Sequence, residues 1–206
     1  AMMAAILLGV SAVSVMAQTA DKGFVHPGAL HTQSDFDRIK QQLANGNEEV
    51  TKAYEYLLSS KYSKSNVKTY PVDKIVRGGT KQNYMNAARG AAMAYQNALV
   101  WKICGDTAHA DRAVSILNQW ARRCKAVGGD TNQSLASGLY GYAFANAAEL
   151  VRDYDGWSRD DFEAFKRWIY EVWYPRCIDF LRRRHDTWKK GRPGHYWSNW
   201  GLCNTL

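Results

Sequence analysis

Across 206 residues the chain is 46% hydrophobic and 13% aromatic, enough for one domain with a core and too much for a disordered segment. Twenty-seven Lys and Arg against 19 Asp and Glu give a formal net charge of +8, which favours contact with a polyanion. Nucleic acid, acidic lipid and acidic polysaccharide all stay open on charge alone.

The first stretch, MMAAILLGVSAVSVMA, is an apolar run of signal-peptide length in which Val15 and Ala17 follow the small-residue pattern of a cleavage site. Residues 1–17 read as a partial signal peptide, with the chain starting inside it; a buried helix is the alternative. Gln18, Thr19, Asp21 and Lys22 follow too early for a transmembrane anchor. The expectation is an exported protein, periplasmic or secreted, without stable membrane insertion after cleavage, and nucleic acid drops out as a partner.

Next, HPGALHTQSDFDRIKQQLANG reads as a loop and a helix, with Thr32 and Asp35 at capping-box spacing and Phe36, Ile39 and Leu43 at helical intervals. His26 and His31 have no metal-ligand spacing and are expected to fix this segment. A second helix is expected from Glu48 to about Tyr62. SKSNVKTYPVDKIVRGGT then reads as a long polar connection, marked by Pro71 and the Gly78-Gly79 pair. Connections of that length are often functional.

NYMNAARGAAMAYQNALVWKIC is alanine-rich and apolar all round; GDT turns the chain into the amphipathic HADRAVSILNQWARRCKAV. GGDTNQS reads as another turn, LASGLYGYAFANAAELVRDY as a helix, and DGWSRDDFEAFKRWIYEVW as one more behind a Ser158/Asp161 cap. Pro175 should kink or end that helix before CIDFLRRR. Cys104, Cys124, Cys177 and Cys203 show no zinc spacing; a Cys104–Cys124 disulfide or buried free thiols on helices are the two readings.

AYQNALVWKICGD and AFANAAELVRDYDG align with Asn97 on Asn146, a period that fits one helical hairpin. The pattern implies inner apolar helices and outer amphipathic ones, with almost no β-patterned sequence: an all-α fold of antiparallel helical hairpins. Continuing the period puts another inner helix near Ser198. Gln82 to Tyr84 and Gln133 to Tyr140 then fall where earlier inner helices begin, and in a ring of hairpins these ends gather on one face. Helix N-terminal N–H groups there suit carboxylates.

HPGALHTQSDFDRIKQQL, AARGAAMAYQNALVWKICGD, LASGLYGYAFANAAELVR and the terminal SNW together resemble the alginate lyase superfamily of polysaccharide lyases. The resemblance implies an (α/α) toroid acting on alginate or glucuronan by β-elimination, with no cofactor and no metal. It implies that residues 18–206 are the N-terminal part of a single toroid catalytic domain, an incomplete fragment whose activity alone is in doubt. It also implies that Asn199 neutralises the substrate carboxylate, with a His, an Arg and a Tyr further downstream.

Elimination removes the weakly acidic C5 proton beside a carboxylate, so a neutral or cationic donor facing that carboxylate stabilises the spreading charge. His195, Trp197, Trp200, Tyr140, Tyr84, Gln133 and Arg77 are the substrate-binding candidates. The tryptophans offer sugar-stacking faces or core packing, and His195 a ligand or a plain loop histidine. Arg77 is a bidentate carboxylate clamp or a solvated loop arginine. Arg182, Arg183, Arg184, Lys189, Lys190 and Arg192 form a polyanion track or a solvated helix end. The rival readings are a toroid glycoside hydrolase, which needs two opposed carboxylates, and a non-catalytic helical-repeat protein that binds acidic glycans. Glu149, Asp153, Glu163 and Glu171 fit ordinary helix faces, which disfavours the hydrolase.

Overall fold

The computed structural model describes residues 23–130 and 132–184, with side chains through residue 179. The fold is all-α, as expected. Helices α1 (Gln33–Ala44) and α2 (Glu48–Ser59) precede the first inner–outer pair, α3 (Met85–Cys104) and α4 (Thr107–Arg123). The second pair is α5 (Asn132–Ala136) running through a π-helical turn, Ser137–Gly141, into α6 (Tyr142–Val151), with α7 (Arg159–Trp168) as its outer partner. A second π-turn, Ile169–Trp173, joins α7 to α8 (Tyr174–Arg184).

Local chemistry sets these boundaries. Asp35 Oδ2 accepts the Thr32 N–H at 2.9 Å at the start of α1, Asn47 Oδ1 accepts Val50 N–H at 3.1 Å, and Ser158 Oγ accepts Asp161 N–H at 3.2 Å. Gly105, left-handed at φ +79°, ends α3, and Asp106 caps α4 through Ala108 N–H at 2.9 Å. The second helix stops at Ser59, short of Tyr62.

α3 packs on α4 and α6, while α4 packs on α6 and α7, giving two layers. Small side chains make the inner contact: Ala87, Gly90, Ala91, Ala94 and Ala98 of α3 are buried. A Cβ at Gly90 would lie 2.3 Å from Trp120 Nε1, so the glycine makes room for the largest residue of α4. Trp120, Phe144, Trp168 and Trp173 continue this core; the Phe144 and Trp168 rings meet edge to face at 5.2 Å.

Three expectations change. The connections carry strands: β1 (Lys74–Arg77) pairs in parallel with β2 (Ala126–Gly129), with Ile75 opposite Val127 and both buried. Four residues per strand, one of them ending in two glycines, are too few for a period-two signal. The helix over LASGLYGYAFANAAELVRDY begins earlier, at Asn132, and contains the π-turn. Pro175 does not end its helix. Tyr174 N–H donates to Ile169 C=O across the preceding π-turn, and that wider turn is where the chain absorbs a residue lacking an N–H.

Cys104, Cys124 and Cys177 are free thiols, Cys104 exposed and the other two buried. Among the described residues no helix is long and apolar enough to cross a membrane, and no cluster of His, Cys, Asp or Glu could hold a metal. The partial signal peptide at 1–17, Cys203, and Lys189, Lys190 and Arg192 lie outside the described residues; Arg182–Arg184 are described as helix only.

Candidate substrate-binding site

Arg77 closes β1, where strand pairing sets it opposite Gly129. Both strand ends need glycine. Gly129 has φ +124°, and a Cβ there would fall 1.9 Å from Arg77 O; Gly78 has φ +82°, and a Cβ there would fall 1.8 Å from Asp130 Oδ1. The strand ends therefore close on each other, backbone against backbone at Gly129 and with the Asp130 carboxylate filling the space beside Gly78.

The link from β1 to α3 is hydrogen-bonded at both of its ends. Gln82 Oε1 accepts Gly78 N–H at 2.8 Å, Asn83 Oδ1 accepts Val76 N–H at 2.7 Å, and Asn83 Nδ2 donates to Lys74 O at 3.0 Å. Val76 O in turn accepts the N–H groups of Asn83 and Tyr84 at 3.1 and 3.2 Å. On the opposite strand, Asp130 Oδ1 accepts both Asn132 N–H and Asn132 Nδ2 at 2.8 Å, fixing the start of α5.

This scaffold brings together three of the residues singled out from the sequence. Arg77 Nη1 donates to Tyr140 Oη at 2.9 Å. Its guanidinium lies 4.6 Å from the Tyr84 ring centroid and 5.8 Å from that of Tyr140, and the two rings are parallel within 8° at 6.3 Å. Tyr84 is the N-cap residue of α3, and Tyr140 stands in the π-turn before α6. Arg77 is half-buried against aromatic faces, which departs from a solvated loop arginine.

Burial raises the Tyr140 hydroxyl above the usual tyrosine range; Arg77 pulls it down and Tyr84 pushes it up, and the net direction is upward. Tyr140 is therefore protonated at neutral pH. Because its oxygen accepts from Arg77, its hydrogen is free to donate. The pair offers the hydroxyl proton and the remaining guanidinium N–H groups, a donor-only array suited to an anion.

Gln133 is placed by its backbone at the start of α5, its N–H donating to Asp130 O at 3.1 Å and its C=O accepting Ser137 Oγ at 3.2 Å. Asn199, His195, Trp197 and Trp200 lie outside the described residues. Sequence reasoning reached Asn83 only as part of the Gln82 to Tyr84 stretch and missed Asp130, which braces the site from the other strand end. The signal for Asp130 was a short polar residue directly after the Gly128-Gly129 pair.

The carboxylates that a hydrolase would use are engaged elsewhere or exposed. Glu149 Oε1 bonds His26 Nδ1 at 2.5 Å and accepts Gly28 N–H at 2.8 Å, and Glu149 Oε2 accepts Arg152 Nη1 at 3.2 Å. Asp153 lies near Arg152, Glu163 pairs with Lys166, and Glu171 is exposed. His31 Nε2 bonds Tyr95 Oη; burial lowers the histidine and pushes the tyrosine up to about 12, so both are neutral. The two histidines thus fasten the N-terminal segment to α6 and α3.

A two-layer helical chain with an arginine–tyrosine cluster at the start of its inner helices defines a class of helical-hairpin protein. Residues 37–206 match the family described as Alginate lyase. The chain belongs to the alginate lyase family, whose activity is that of a polysaccharide lyase. Comparison with curated proteins and with solved structures gives no match.

Proposed function

We propose that this protein is an exported polysaccharide lyase that cleaves a uronate-containing chain such as alginate or glucuronan by β-elimination in an (α/α) toroid. The observation that carries the reading, beside the family membership, is the cluster of Arg77, Tyr84 and Tyr140 at the start of two inner helices. The guanidinium and hydroxyl donors of this cluster suit an acidic sugar.

In this reading Asn199 donates its amide N–H to the carboxylate of the reacting uronate. A base removes the C5 proton, the electron pair forms the C4–C5 double bond, and the C4–O bond breaks with the proton going to the leaving oxygen. Asn199 stabilises the charge that spreads onto the carboxylate without itself becoming charged. Arg77 and Tyr140 hold the carboxylate of a neighbouring sugar, Tyr84 supports the guanidinium, and Gln133, His195, Trp197 and Trp200 complete the binding surface. Tyr140 acts as donor, since its raised pKa makes it a poor base at neutral pH.

The test is ultraviolet absorbance of the 4,5-unsaturated uronate on mixing the full-length protein with alginate or glucuronan. Absorbance should rise with turnover; new reducing ends without it would identify a hydrolase, and binding without cleavage a glycan-binding protein. Asn199→Ala should lower turnover by about 10²–10³-fold, the scale of one transition-state donor, with circular dichroism unchanged. Near-normal turnover would remove Asn199 from the chemistry.

A further inference from the structure

Between the loop after α2 and the exposed side of α3 lies an open cleft of about 620 Å³, lined in part by Lys61, Tyr62, Lys68, Tyr70, Arg89 and Met93. No acidic residue lines it, and among the described residues none of its three cations has a carboxylate partner. Arg38, Lys52 and Lys166 each pair with an acid on their own helix, whereas among the described residues exposed Lys40, Lys74, Lys125 and Arg167 do not, so the mark of this face is three such cations gathered in one cleft. Lys61, Lys68 and Arg89 are all exposed, so the cleft holds an uncompensated positive field.

Its aromatic component is equally specific. Tyr70 is 68% exposed, and Lys61 Nζ lies 5.2 Å from the Tyr62 ring centroid. Exposed aromatic faces next to cations suit a sugar ring that carries a carboxylate.

The walls are built rather than loose. Buried Asn97 donates to Tyr62 O at 3.0 Å and to Lys64 O at 3.5 Å, Lys64 Nζ donates to Leu58 O at 2.6 Å, and Trp120 Nε1 donates to Thr69 Oγ1 at 2.8 Å. The loop backbone is thus tied on both sides of the cleft, and the main chain that carries Lys61 and Lys68 is in place before a ligand arrives.

We infer that this cleft is a second binding site for a carboxylated polysaccharide, separate from Arg77 and Tyr140 and engaged by a chain that has already bound there. The inference rests on the polysaccharide-lyase reading for its ligand. Arg89 stands five residues beyond Tyr84, about 7–8 Å along the axis of α3 but roughly 140° around it, so one polymer engages both sites by passing round the helix. A second contact on the same chain is intramolecular, and it strengthens binding of polymers without affecting oligosaccharides too short to span both.

The experiment compares the full-length protein with Lys61→Glu/Lys68→Glu/Arg89→Glu and with a control of equal charge change, Arg38→Glu/Lys52→Glu/Lys166→Glu. Each is run by affinity electrophoresis in gels containing sodium alginate or neutral dextran, and assayed for unsaturated product from polymer and from a tetrasaccharide. The cleft variant should lose alginate retardation and show KM raised about tenfold on polymer only, while the control behaves as wild type and dextran retards none. Equal loss in both variants, or unchanged retardation of the cleft variant, overturns the inference. If wild type makes no unsaturated product yet is retarded, and only the cleft variant loses retardation, the lyase reading fails and the cleft stands.

Discussion

The two inner helical segments, α3 and α5–α6, share one device and differ in another. Asn97 and Asn146 occupy equivalent positions in the repeat. Asn97 Nδ2 donates to Met93 O at 2.9 Å and Asn146 Nδ2 to Tyr142 O at 2.9 Å, each one turn back, and each asparagine also holds a preceding segment. Asn97 holds the loop at Tyr62 and Lys64, and Asn146 Oδ1 accepts Leu30 N–H at 3.2 Å. Towards their N-termini the segments diverge. α3 is unbroken from Met85, whereas a π-turn interrupts the second. The extra residue in such a turn rotates α5 about the helix axis relative to α6, by about 100°. It lets Asn146 keep its anchoring role while Tyr140 faces Arg77. Anchoring is the repeated part of the unit, and the contact with Arg77, assigned to ligand binding in the proposed function, is the varied part.

The sharpest test of shared anchoring is to remove each asparagine. Asn97 is fully buried and its Oδ1 also accepts from His109 Nδ1 at 2.8 Å; Asn146 is 8% exposed and has fewer partners. At roughly 1–3 kcal/mol per buried polar group left unsatisfied, Asn97→Ala should cost about 2–4 kcal/mol and Asn146→Ala about half that, read from urea unfolding midpoints. A larger loss at Asn146 would break the proposed order.

Varied ligand contact predicts unequal tyrosines. Tyr140→Phe removes the hydroxyl that bonds Arg77 and should raise KM for acidic substrate about tenfold, a cost near 1.4 kcal/mol. Tyr84→Phe keeps the ring under the guanidinium and should change KM less than about twofold. Steady-state kinetics of the two variants side by side decide the point, and equal effects would make the π-turn irrelevant to binding.

The smallest effect concerns Glu149, for which the repeat places Val100 in α3. Burial raises the Glu149 pKa, but His26, the Gly28 N–H and Arg152 outweigh it and bring the net value below the usual range. A depressed folded-state pKa contributes stability that is present above the unfolded value, about 4.3, and lost as pH falls through the folded one. The Tm difference between wild type and Glu149→Gln should therefore hold near pH 7, shrink as pH falls below the unfolded value and vanish once pH is below the depressed folded one. A difference that persists in acid would mean packing, not charge, secures the N-terminal segment.

Helices, caps and the two-layer arrangement were legible because their signals are local and periodic: alanine-rich runs, Ser158 with Asp161, Gly105 after Cys104. The Asn97/Asn146 match was legible for the same reason. β1 and β2 were not, since each is four residues long and its partner lies beyond a whole helical hairpin. Neither was the π-turn, which has no composition distinct from an α-helix. Arg77, Tyr84 and Tyr140 could be named from loop length and repeat position. Their meeting depends on the parallel strand pair and the π-turn, the two features that leave least trace in sequence.

The clasp formed by Gly78, Gly129, Gln82 and Asn83 has a kinetic meaning. In the proposed function, the strand ends that carry Arg77 are already tied by this clasp and have little to reorganise when a carboxylate arrives. Association should then proceed in a single phase, at a rate governed by diffusion and long-range attraction to a chain of formal charge +8, and should slow steadily as salt is added.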